Sequence, residues 1–216
     1  MDMHHERGME VTDSYQLDSY AADILCELGN IGAAHAATAL SELLQAPIAM
    51  RVPQVELVPF DEISMTLGGP EVVVAGVFLQ VTGDIEGTMF FIQSMKSAKQ
   101  LVSNICGGEE SKDGFSDIGL SALGEVGNIL AANYLSALMD FTQLRMLPSV
   151  PLVAVDMAQS ILSIALQTDQ MGGRYALVIH TAVHHREEQE DAHFFLFPFP
   201  GAQDVLLHAL GIGGSV

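Results

Sequence analysis

Basic residues are scarce. The 216-residue chain holds 8 Lys plus Arg against 27 Asp plus Glu, a formal charge of −19. Binding a phosphate backbone needs Lys and Arg, so nucleic acid and anionic lipid are excluded as partners. Cysteine is nearly absent: Cys26 and Cys106 stand alone among apolar or small neighbours. That excludes a disulfide framework, and we expect two buried free thiols in a reducing compartment. Long apolar runs are missing as well. The longest, such as Val72 to Leu79, reach strand length and stop well short of a bilayer span. The N-terminus lacks the basic, apolar and small-residue succession of a secretion signal. Together these absences predict a soluble, cytoplasmic protein, and 49% hydrophobic residues supply ample material for its core.

Several chemistries lose their residues in the same way. No G-x-S-x-G is present, and Cys26 has no basic neighbour to lower its pKa. The glycines at Gly211, Gly213 and Gly214 lack the lysine of a phosphate loop. His4-His5-Glu6 and His184-His185 show neither H-x3-H on a helix nor any Cys-His ligand spacing, so no metal site of its own is expected.

What is present occurs twice. Asp23-x3-Glu27-x2-Asn30-x22-Pro53 recurs 98 residues later as Ser121-x3-Glu125-x2-Asn128-x22-Pro151. The flanks repeat too: Leu28-Gly29-Asn30-Ile31 answers to Val126-Gly127-Asn128-Ile129, and Val52-Pro53 to Val150-Pro151. A match this long at one offset implies an internal duplication.

Apolar spacing predicts a helix over Asp18–Leu44, its inner face including Tyr20, Ile24, Leu25, Leu28 and Ile31, with Pro47 closing it. Arg51–Val58 reads as a strand in which Pro53 demands an edge or a bulge. Glu71–Val81 and Gly87–Gln93 read as a hairpin, and Lys96–Cys106 as a short helix stopped by Gly107-Gly108. The second half predicts a helix over Asp117–Leu144 and a strand over Val150–Met157. A hairpin is expected of Ser160–Thr168 with Arg174–Val183 around Asp169–Gly173. An unmatched strand over His193–Phe199 and a last helix over Ala202–Leu210 follow, with His184–Asp191 as a loop. Such halves make an α/β fold, two long helices side by side on one shared, mainly antiparallel sheet. Glycines inside both helices imply close approach of another backbone, since helical glycine costs ~1 kcal/mol against alanine. Met139, Met146 and Met157 read as core filler.

Asp23, Glu27 and Asn30 fall on one stripe of two helical turns, and so do Ser121, Glu125 and Asn128. One carboxylate and one carboxamide are too few for a metal and include no nucleophile. A carboxamide both donates and accepts, so it can orient a water without becoming charged. Orienting water for attack on a phosphoryl group is a role amide side chains do play.

The doubled D/S-x3-E-x2-N-x22-P pattern resembles that of the CheC family of chemotaxis phosphatases, from about Leu17 to Leu210. Residues 1–17 have no period and read as a flexible lead-in; the duplication gives one domain over 18–216, made of repeats at about 18–108 and 116–211, which the resemblance makes CheC-like. The resemblance implies as substrate the phosphoryl-aspartate of a CheY-type response regulator. Asn30 and Asn128 would position the attacking water, and Glu27 and Glu125 would anchor the partner. Asp23 and Ser121 would support the stripe, and Pro53 and Pro151 would shape the adjoining strand. The regulator would bring the Mg²⁺, and the receptor deamidase CheD would be a second partner. The alternative is a non-catalytic binding module akin to the flagellar switch proteins, whose active forms carry a further C-terminal domain. This chain's end at Val216, soon after the last expected helix, favours the phosphatase.

Overall fold

Among the described residues seven strands form one antiparallel sheet, with the two long helices lying across one face. The computed structural model describes residues 19–107, 114–166, 175–185, 188–199 and 201–211. In chain order the first repeat is α1 (Ser19–Leu44), β1 (Ile48–Pro59), a 3-10 turn (Phe60–Glu62) leading into α2 (Ile63–Thr66), β2 (Val73–Gly83), β3 (Gly87–Ser94) and α3 (Met95–Cys106). The second is α4 (Asp117–Thr142), β4 (Met146–Pro148), β5 (Leu152–Met157), α5 (Ala158–Leu166), β6 (Tyr175–His185), β7 (Glu188–Pro198) and α6 (Ala202–Ala209). The expected 1–17 lead-in and the Asp169–Gly173 turn lie outside the described residues.

Local chemistry sets the ends of these elements. Ser116 caps α4 by accepting from the Gly119 N–H at 3.0 Å, and Ser94 caps α3 through the Ser97 N–H at 3.1 Å. Gly107, at φ 70°, turns the chain out of α3 with its N–H on the Ser103 carbonyl.

The strand order is β1-β6-β7-β3-β2, with β4 and β5 both on the outer edge of β2. Each repeat therefore sends its first strand to the other repeat's hairpin: β1 pairs β6, and β5 pairs β2. At the offset of 98, β1 corresponds to β4 and β5 together. Both copies slip register at their Val-Pro. In β1 the shift falls between Arg51 and Gln54, and in the second copy pairing stops at Pro148 and resumes at Leu152. Pro53 thus occupies a bulge on an edge strand, as a residue without an N–H must.

The second-half hairpin expected of Ser160–Thr168 is not there. Ala158–Leu166 is helical, and its buried Ala158, Ile161 and Leu162 cover the sheet face that carries Phe90 and Phe195. Short apolar runs satisfy helical and strand spacing alike, which is why this one misled. The partner of β6 is β7, so the strand at His193–Phe199 is the counterpart of β3 after all. Of the expected loop His184–Asp191, His184 and His185 instead end β6 and residues 188–191 begin β7, the two residues between lying outside the described ones.

The core has two layers. Between helices and sheet lie Leu25, Leu28, Leu40, Leu79, Phe91, Leu123, Leu130, Tyr134 and Phe194; on the far face lie Ile63, Phe90, Ile161 and Phe197. Tyr20 and Ile31 do not join the buried face of α1, being 71% and 41% exposed. Cys26 is half-buried and Cys106 exposed, so the expected pair of buried thiols fails for the second. Met146 is core, Met139 packs partly against it, and Met157 is exposed.

The helical glycines answer two demands. A Cβ on Gly32 would lie 3.0 Å from the Tyr134 Cα, so here the α1 backbone does approach α4. Gly29 and Gly127 instead receive sheet valines, Val52 and Val77.

Tyr134 crosses from α4 to the sheet, its hydroxyl 3.0 Å from Thr181 Oγ1. Burial pushes its pKa up to about 12, and the Thr181 hydrogen bond opposes only part of that. The folded state therefore keeps this proton at a pH where the unfolded chain, near the ordinary value of about 10, releases it. Stability is unaffected below pH ~10 and falls as pH rises from ~10 to ~12, by roughly 3 kcal/mol for a two-unit shift. Urea unfolding of wild type and Tyr134→Phe across that window should show the shallower fall in the variant; parallel curves would refute this.

Candidate functional site

The face of α1 and α4 turned away from the sheet carries the repeated stripe. Asp23, Glu27, Ser121 and Glu125 are all exposed, because the small and apolar residues between them take the sheet side of each helix. Asn30 and Asn128 are half-buried at the edge of each stripe, and neither is enclosed in the core. Pro53 is exposed and Pro151 half-buried. Every residue singled out from sequence is thus at or near the surface, and equivalent residues occupy equivalent places on neighbouring helices.

The two carboxamides are held differently. Asn30 Nδ2 donates to the Cys26 carbonyl at 2.9 Å and to the Val52 carbonyl at 3.2 Å, while Oδ1 accepts the Val52 N–H at 2.9 Å. The bulge takes Val52 out of register with β6, and the Asn30 amide pairs with it as a neighbouring strand would. Breaking that pairing without replacement would strand two backbone groups beside the core, at about 1–3 kcal/mol each. The 22-residue gap between Asn30 and Pro53 was therefore a contact signal, not only a mark of strand shape.

In the second repeat this pairing is missing. Val150 is 84% exposed, whereas Val52 is 2% exposed against Gly29. Ser149, at the position of Arg51, donates its hydroxyl to the Val150 carbonyl at 3.0 Å and accepts the Gln80 N–H at 3.0 Å. The Asn128 side chain makes no hydrogen bond among the described residues. It has its full donor and acceptor capacity available.

Sequence reasoning missed two exposed apolar residues in this neighbourhood. Tyr20 and Ile118, two turns before Glu27 and Glu125, are each 71% exposed and are related by the same offset of 98. That offset was the signal, overlooked because an isolated apolar residue on a helix reads as core.

Other polar groups lie elsewhere. Glu56, His180 and His193 form a chain of 2.7 and 3.2 Å contacts on the sheet face away from α1 and α4. A cavity of about 50 Å³ lined by Leu40, Gln93, Leu101 and Leu130 lies beneath the helices. Among the described residues, no group of three or more His, Cys, Asp or Glu is placed to hold a metal ion, and no helix is long and apolar enough to cross a membrane.

Both stretches bearing the stripe and its Val-Pro match the model of the CheC-like family, at residues 21–57 and 118–154. The chain is 40% identical over 194 residues to the CheY-P phosphatase CheC of Bacillus subtilis (strain 168), covering 88% of this chain and 93% of that one. Among solved structures, Thermotoga maritima FliY superimposes with a TM-score of 0.70 at 18% identity, over 91% of this chain and 99% of that one. The FliM middle domain from H. pylori gives 0.67 at 11% identity, over 88% and 98%. The last two likenesses concern the fold alone. Extent and identity of the match to the Bacillus protein, with both repeats matched by the family model, establish that this chain belongs to the CheC-like family.

Proposed function

We propose that this protein hydrolyses the phosphoryl-aspartate of a CheY-type response regulator, using Glu27 with Asn30 and Glu125 with Asn128 as two sites. One observation carries the reading: an exposed carboxylate with a carboxamide one turn on, at matched positions of adjacent helices, in a chain 40% identical to a CheY-P phosphatase. An exposed stripe on the outer sides of two helices does not enclose a substrate, so the reading takes as substrate a protein that brings the pocket with it. In this reading Glu27 or Glu125 pairs with a cation of the regulator, and the carboxamide enters its acyl-phosphate site. The amide oxygen accepts a hydrogen bond from a water O–H and leaves that water's lone pair in line with phosphorus. The new O–P bond forms as the acyl O–P bond breaks, releasing inorganic phosphate and the aspartate carboxylate. Mg²⁺ held by the regulator supplies charge neutralisation on the phosphoryl oxygens.

Timed loss of acyl phosphate from a purified, phosphorylated regulator tests this; faster decay on adding the protein is expected, and unaltered decay would remove the reading. Reversing the anchor charges with Glu27→Lys plus Glu125→Lys should raise the half-saturating regulator concentration by about tenfold or more, since each site loses an attraction and gains a repulsion. An equal half-saturation would count against the anchor role. The reading takes CheD as a second partner, for which co-elution of the two purified proteins is the check.

A further inference from the structure

The same Val-Pro bulge is present twice in this molecule in two conformations, each coupled to a different state of its asparagine. In the first repeat Val52 is turned in against Gly29, and both its backbone groups are held by the Asn30 amide. In the second, Val150 is turned out, its carbonyl is taken by the Ser149 hydroxyl, and the Asn128 amide is unengaged. We infer that the bulge is a latch on the catalytic carboxamide: the second site is ready to act at rest, and the first is held closed. This rests on the phosphatase reading and adds to it which site works and what restrains the other.

The chemistry of the latch follows from capacity. An Asn side chain can make four hydrogen bonds, two as donor and two as acceptor. Asn30 spends both donors and one acceptor on Cys26 and Val52, leaving a single lone pair for a water. Those bonds hold the amide turned toward Val52, so swinging it out into a docked partner's site requires Val52 to give up two partners. A net contribution typical of such bonds slows the first site relative to the second by roughly tenfold or more.

Residue choice explains why the copies differ. The valines and prolines are identical, but the residue before them is Arg51 in one copy and Ser149 in the other. A serine hydroxyl reaches the next carbonyl and stands in for the amide. An arginine has no acceptor and only distant donors, so the Val52 groups turn to Asn30. Ser149 is thus a positioning residue, acting on Asn128 through Val150.

Two measurements on the full chain test this. In ¹⁵N-labelled protein, the Asn30 side-chain amide protons should exchange with solvent at least tenfold more slowly than those of Asn128, with no regulator present. Equal exchange would overturn the latch whatever the enzymology shows. In phosphate-release assays with Asn30→Ala removing the first site, Ser149→Ala should slow the remaining turnover severalfold, and Ser149→Thr, which keeps the hydroxyl, should restore it. Turnover indifferent to Ser149 would also overturn the proposal. Unequal exchange in a protein that speeds no phosphate release would keep the latch and remove the phosphatase reading, so the two failures are distinguishable.

Discussion

A chain carrying both Asn30→Ala and Asn128→Ala should leave a regulator's acyl phosphate decaying at its own unassisted rate. Removing a preorganised polar group that acts on the transition state costs typically 100-fold or more, and here both copies are lost together. The carboxylates remain, so regulator binding should persist while turnover disappears, which separates catalysis from the binding-module alternative. The fold should survive. The Asn128 side chain has no hydrogen bond to lose among the described residues, and losing Asn30 unpairs the two Val52 backbone groups at the sheet edge, so the melting temperature falls while helices and sheet remain. Circular dichroism and thermal unfolding would verify that. A doubly substituted protein with wild-type turnover would show that the amides are not the catalytic groups.

The second large effect concerns Gly127, immediately before Asn128. A Cβ there would lie 2.6 Å from Val77 Cγ1, and Val77 is 2% exposed in the middle of β2. A glycine costs a helix ~1 kcal/mol against alanine, so its presence reflects what a side chain would do to the contact. Gly127→Leu should destabilise by about 3 kcal/mol or more, through overpacking that lifts α4 from the sheet. For a domain of this size that lowers the melting temperature by about 10 °C. A melting temperature within a degree or two of wild type would mean that α4 can move away from β2 at little cost. Where the variant still folds, the second site should lose activity more than the first, since Asn128 rides on the displaced turn.

The pattern of polar residues on the long helices was legible because helical spacing is a local property. Asp23 and Glu27 on α1, and Ser121 and Glu125 on α4, are all exposed, one outward stripe to each helix. Pro53 announced its bulge on an edge strand for an equally local reason, the missing N–H. Reading failed where several environments suit one string. Ser160–Leu166 is apolar enough for a strand, and only the Phe-lined far face of the sheet makes it a helix. Tyr20 fits an apolar spacing and is exposed nonetheless, because the sheet covers a different side of α1.

From its residues alone the chain declared its duplication, both Glu-Asn pairs, their place on adjacent helices and the family they resemble. Tertiary structure decided that each repeat lends its first strand to the other's hairpin, and that identical Val-Pro bulges turn in opposite directions. Those outcomes depend on partners distant along the chain: Val52 meets Asn30 across a bulge, while Val150 meets Ser149 and solvent. Repeated sequence can specify like positions, but the state of each amide is set by which neighbour satisfies the adjoining backbone.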